Sequence, residues 1–172
     1  GITEFGSQDY TFAGWYKTGV IGSGILAKEN DNPNGPNFFS RGEKSFVISQ
    51  TDTADNLLPS GSVNLVTTEG TINGATSIAD NQWHHVSITW DAEIKKPRIF
   101  VDGVEETGGV PGEFTGREDV MGSHSRLGKN ADAALWAAPI GFAGLMDDLA
   151  FFDRVLSPQE IQLVMTGDYR SF

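Results

Sequence analysis

Short apolar runs that alternate with polar residues, separated by turn-forming residues, recur along the whole 172-residue chain. A period of two sends neighbouring side chains to opposite faces, which is the pattern of a strand with one face buried. Segments 10–18, 24–29, 44–50, 61–68, 83–91, 97–103, 125–130 and 144–154 read this way. Eight short strands predict an antiparallel β-sandwich, all-β in class, and the 21 glycines read as the turns between them. Asp102-Gly103 sits between apolar flanks and predicts a tight hairpin, because both residues tolerate the positive φ of a type I′ turn. Only "LSPQEIQLVMTGD" departs from the strand period. Ser157 is placed to cap a helix, Pro158 suits its first turn, Glu160 completes a capping box and Gly167 stops it, so one short C-terminal helix is predicted over 158–166.

The strand "WHHVSITWD" carries two of the three histidines. Its alternation assigns His84, Val86, Ile88 and Trp90 to the core, with His84 a buried, hydrogen-bonded histidine, and Trp83, His85, Ser87 and Thr89 to a half-exposed face. Adjacent histidines on a strand diverge, so they do not form a metal pair, and His124 is far away in sequence.

Composition narrows the function classes. The length fits a single domain spanning 1–172, with a core large enough to need no staple. The absence of cysteine removes disulfides, thiolate metal sites and cysteine nucleophiles. A net charge of -11 repels phosphate backbones and anionic membranes, so no nucleic-acid partner is expected. No apolar run reaches the length of a membrane span, so no membrane insertion is expected either. The chain begins almost directly in strand-like sequence, from which we expect a module excised from a larger protein.

"YTFAGWYKT", "NQWHHVSITWD", "RIFVDGVEE", "RLGKN" and "FAGLMDDLAFFDRVLSPQEI" resemble, in order and spacing, the laminin G-like jelly-roll branch of the concanavalin A-like lectin/glucanase superfamily. The resemblance covers nearly the whole chain. It implies two curved antiparallel sheets packed face to face, a closing strand followed by the "LSPQEI" helix, and an extracellular or cell-surface location. Two features depart from the pattern: the family's usual first strand is nearly missing, and so is the C-terminal disulfide of many animal members. The second departure favours the bacterial type.

The superfamily includes retaining glucanases, which need two carboxyl groups about 5–5.5 Å apart across the scissile bond. Their Glu-x-Asp-x-Glu and Glu-x-Asp-x-x-Glu patterns do not occur here, and neither do a Gly-x-Ser-x-Gly elbow or a phosphate-cradling loop with its lysine. The expectation is no enzyme, with an unusual glycoside hydrolase as a minor alternative. Calcium is the expected ion, since hard cations take several loop oxygens. Asn30 and Asp31 lie in the oxygen-rich "ENDNP", whose competing reading is an ordinary polar turn. Asp147 and Asp148 stand at the start of an otherwise apolar strand, a costly arrangement unless they are paired or bound; the resemblance also implies a structural calcium near this strand, and the competing reading has one aspartate in solvent and the other accepting backbone or arginine hydrogen bonds. For a sugar, which stacks on an aromatic ring and hydrogen-bonds to polar neighbours, the candidates are Trp136 in an apolar insertion, with Arg117, His124 and Arg126 on the same stretch. Phe38 and Arg41 form a second-rank group, Trp83 is ambiguous, and Trp15 and Trp90 read as packing residues. The sequence therefore points to a non-catalytic, lectin-like module with a structural calcium and a polysaccharide or glycan as partner. A module that binds other surface proteins, or an architectural adhesion module, is the competing reading, because fold alone does not decide function.

Overall fold

The computed structural model describes residues 8–22, 24–30, 42–48, 60–67, 71–106, 114, 123–128 and 141–169; the side chains of 27–30, 42–48, 66–67 and 123–126 fall outside that description. Ten strands and one helix are described: β1 (Tyr10–Thr18), β2 (Gly24–Asn30), β3 (Gly42–Ile48), β4 (Ser62–Thr67), β5 (Thr71–Ser77), β6 (Trp83–Asp91), β7 (Lys96–Val101), β8 (Val104–Glu105), β9 (Ser123–Leu127), β10 (Gly144–Phe152) and α1 (Pro158–Met165). They form two five-stranded antiparallel sheets, sheet I in the order β10-β1-β6-β7-β8 and sheet II in the order β5-β4-β3-β2-β9. The all-β sandwich with one short C-terminal helix is thus as the sequence pattern predicts, with β1 and β6 at the predicted boundaries.

The sheets pack through alternate residues of each strand. Phe12, Tyr16, Val86, Ile88, Trp90, Ile99 and Val101 of sheet I meet Ile25, Leu26, Val63, Leu65 and Ile72 of sheet II, and all are buried. A large apolar side chain fully buried this way contributes about 1.5–3 kcal/mol, so this layer dominates the stability. A smaller core lies on the outer face of sheet I, where Leu156, Ile161 and Val164 cover Ala13 and Phe100, flanked by Phe152. The helix starts as its sequence dictates: the Ser157 hydroxyl accepts from the Glu160 N–H at 3.3 Å and the Glu160 carboxylate accepts from the Ser157 N–H at 2.7 Å. Arg154, 2.8 Å from the same carboxylate, is the chief cause that holds the Glu160 pKa down at about 2. The Thr11 hydroxyl bolts the helix approach to β1, donating to the Arg154 carbonyl and accepting from the Leu156 N–H.

That second core overturns one expectation. His85, Ser87 and Thr89 are not half-exposed; each is at most 1% exposed, because β1, β6 and β7 are covered on both faces. His84 in turn is only half-buried, at the sandwich rim rather than in the core. Trp15 lies on the outer face, its ring edge-on to His85 with centroids 5.3 Å apart, whereas Trp90 packs inward as expected.

β5 is a further addition. Its sequence "TINGATS" has one large apolar residue, too little alternation to read as a strand. Ile72 faces the core, Asn73 on the opposite face is buried as well, and Glu106 accepts from the backbone N–H groups of Ala75 and Thr76 and pairs with the Thr76 hydroxyl.

In sheet I, β1 and β7 end and β6, β8 and β10 begin at the Trp83 end, while β6 ends and β1, β7 begin at the Asp91 end.

Candidate functional site

At the Trp83 end, one corner of the outer face of sheet I presents a cross-strand row of exposed and part-exposed side chains. Lys17 of β1 stands opposite Leu145 of β10 on one side and Trp83 of β6 on the other. The next row inward is Asp147, Trp15 and His85. Trp83 is 39% exposed although every residue from 85 to 90 on its strand is buried. Tyr169, beyond the helix, feels the mid-strand aspartates of β10: its hydroxyl pKa is raised by burial and then by the charges of Asp148 and Asp147. An indole face, an ammonium and a carboxylate together offer what a sugar ring uses, a flat apolar platform with donors and acceptors around it.

Behind Trp83 lies a relay of charge. His84 Nδ1 is 2.8 Å from Asp102 Oδ2, and its Nε2 is 3.2 Å from Asp80 Oδ1. Both carboxylates are themselves held by backbone, Asp80 by the Gln82 N–H at 2.8 Å and Asp102 by the His85 N–H at 2.9 Å. A neutral imidazole carries a single N–H and can donate to only one of the two; the imidazolium donates to both. Burial lowers the His84 pKa, but hydrogen bonds and charge from Asp102 and then Asp80 outweigh it, and the net direction is upward. The Asp80 carboxyl is held below its ordinary value, first by the Gln82 N–H and further by His84. The turns that bring these groups together need left-handed backbone at Asn81 (φ 64°), Asp102 (φ 48°) and Gly103 (φ 77°), the last two forming the predicted hairpin turn.

His85, one residue on, behaves oppositely. Neither ring nitrogen has a hydrogen-bond partner, and the same holds for Ser87 Oγ and Thr89 Oγ1. Burial pushes the His85 pKa down to about 4, against a smaller opposing pull from Asp102, so the ring is neutral.

Of the residues singled out in the sequence, Trp136, Arg117, Phe38, Arg41 and Asp31 lie outside the described residues. The backbone of β9 pairs His124 with Glu29 and Arg126 with Ala27 of β2, and Asn30 ends β2 opposite Ser123. Asp147 and Asp148 are exposed near the middle of β10, in the other sheet from Asn30. Asp147 pairs with Trp15, and Asp148 with Leu149 forms a β-bulge opposite Gly14: Asp148 has a φ of 47° and its N–H donates to Asp147 Oδ1 at 2.9 Å. Two carboxylates, one already accepting, fall short of the six to eight oxygens of a calcium shell, and among the described residues no group of three His, Cys, Asp or Glu side chains could hold a metal.

The family model for the concanavalin A-like lectin/glucanase superfamily, of the laminin G type, matches residues 2–162. The chain belongs to that superfamily. Among its curated relatives, the mouse protein "Sushi, von Willebrand factor type A, EGF and pentraxin domain-containing protein 1" is 31% identical over 98 residues, 56% of this chain. The chain spans only 3% of that relative's length. The fold of this superfamily member is shared by the CBM40 module of a Ruminococcus gnavus sialidase, with a TM-score of 0.63 and 18% identity over 92% of this chain and 83% of that one. The module has also been solved bound to sialyllactose. A pentraxin of Limulus polyphemus superposes with a TM-score of 0.59 at 17% identity, over 94% of this chain and 73% of the pentraxin.

Sequence reasoning missed Trp83, Trp15 and Lys17 as one surface, and the Asp80–His84–Asp102 relay. A faint signal exists: a tryptophan at a strand start, with the parity of the non-core face, has no packing role to fill.

Proposed function

We propose that this chain is a non-catalytic carbohydrate-binding module of a secreted or cell-surface protein, with the Trp83 corner as its sugar platform. The observation that carries this is the exposed indole of Trp83, in a cross-strand row with Lys17 and flanked by Trp15 and Asp147. The CBM40 likeness supports the ligand class, and the non-catalytic part is supported by the structural engagements of Asp80, Asp102, Glu106 and Glu160. A glycan array followed by titration calorimetry tests it: Trp83→Ala weakens binding at least about tenfold, the loss of one well-packed stacking contact. A folded protein that binds no glycan, or binds equally well without Trp83, overturns the reading. A structural calcium involving Asp147 and Asp148 is a secondary proposal, since they supply part of a shell; a melting temperature unchanged by chelator removes it.

The competing reading, a protein-binding or adhesion module, draws on the exposed Val20, Ile21 and Leu145 on or beside the same end of β1 and β10. Exposed apolar groups in proximity mark contact surfaces.

A further inference from the structure

The carboxylates on His84 come from different turns. Asp80 belongs to the β5–β6 turn that leads into Trp83, and Asp102 to the β7–β8 turn. The first turn is tied to β1 by the Asn81 N–H on the Thr18 carbonyl at 2.8 Å, and the second to the helix by Gln162 Nε2 on the Gly103 carbonyl at 3.3 Å. Backbone N–H groups fix both carboxylates as acceptors, and His84 is the side chain that spans them. We propose that His84 is a positioning residue for the Trp83 surface: as an imidazolium it clamps the two turns together, holds Trp83 in its outward pose, and makes ligand binding weaken as pH rises. The sugar half of this rests on Trp83 being the platform; the positioning half does not.

Loss of the proton leaves one ring nitrogen with a lone pair against a carboxylate oxygen, so one arm of the clamp changes from attractive to repulsive. Asp80 and Asp102 are the ionised groups that face the ring. On the inner face its cross-strand neighbour Tyr16 of β1, itself opposite Met146 of β10, carries a hydroxyl whose pKa burial raises further, so it stays uncharged throughout. His85 points to the other face of β6 and is neutral. His84 is raised above 6.5, so the clamp is complete below that pH and is lost as pH climbs through the raised value. Asp80 is lowered, so the clamp persists on the acid side until pH falls through that lowered value.

The test is an NMR titration of the whole chain from about pH 6 to about pH 9, with binding of the best array glycan measured over the same range. The His84 ring and the Trp83 indole N–H titrate with one midpoint above 6.5, and glycan affinity falls roughly two- to fivefold, the scale of a part-exposed ion pair. His84→Gln keeps a hydrogen-bonding side chain but abolishes the Trp83 titration and flattens the binding profile, while Asp102→Asn lowers the His84 midpoint. A His84 midpoint at or below 6.5, or a Trp83 signal that ignores it, overturns the positioning role. If Trp83 follows His84 and the folded protein binds no glycan, the positioning role stands and the sugar platform falls. A wild-type binding profile that His84→Gln leaves unchanged removes the pH dependence of binding.

Discussion

His84 and His85 share a strand and a peptide bond, yet they live in different proteins as far as their protons are concerned. His84 stands at the rim between two carboxylates that push its pKa up, whereas His85 is buried on the outer face of sheet I with no partner for either nitrogen, and burial pushes its pKa down to about 4. The lesson is that alternation assigns a residue to a face but says nothing about what covers that face. On the inner face the cover is the other sheet; on the outer face Leu156, Ile161 and Val164 lie over Ala13 and Phe100, the two cross-strand neighbours of Ser87, while Trp83 at the strand start stays exposed.

The comparison breaks most severely if the outer cover is removed. Ile161→Ala takes a fully buried side chain from the helix and is expected to destabilise the fold by about 2–4 kcal/mol in urea unfolding, with amide exchange of β6 rising from its outer side. A smaller effect sharpens the histidine contrast. Because the His85 pKa is depressed, its full contribution to stability is present above 6.5 and is lost as pH falls through about 4, on the order of 3 kcal/mol. His85→Leu replaces an unpartnered ring with an apolar group and flattens this acid limb in unfolding curves at pH 7 and pH 4; an unchanged limb places the proton elsewhere. The smallest effect belongs to the uncovered corner: Trp83→Ala shifts stability by no more than about 0.5 kcal/mol, so that any binding loss is read as contact and not unfolding.

Much of the fold was legible because local chemistry repeats there. The Ser157–Glu160 capping box, the Asp102–Gly103 turn and the strict alternation of β1 and β6 each specify their structure within a few residues. β5 was illegible for the opposite reason: "TINGATS" is held by its neighbour β4 and by a carboxylate about 30 residues away, neither of which leaves a local pattern. The site was less legible than the fold. Asp80 lies four residues before His84 and is visible as a candidate partner, but Asp102 reaches it only through the β6–β7 pairing, and the exposure of Trp83 depends on what covers the outer face of its strand, which no local pattern encodes.

β1 sits between β10 and β6, and its Thr11 hydroxyl closes a link across 143 positions of sequence. Sheet I therefore cannot be completed until nearly all of the chain exists. While a ribosome is still making β9, the first strand has β6 on one side and an open edge on the other, so assembly is slow and late, as for any sheet dominated by distant pairings. The last strand is the one that shuts that edge. A stall in translation before residue 144 leaves β1 with one edge open to pairing by another chain.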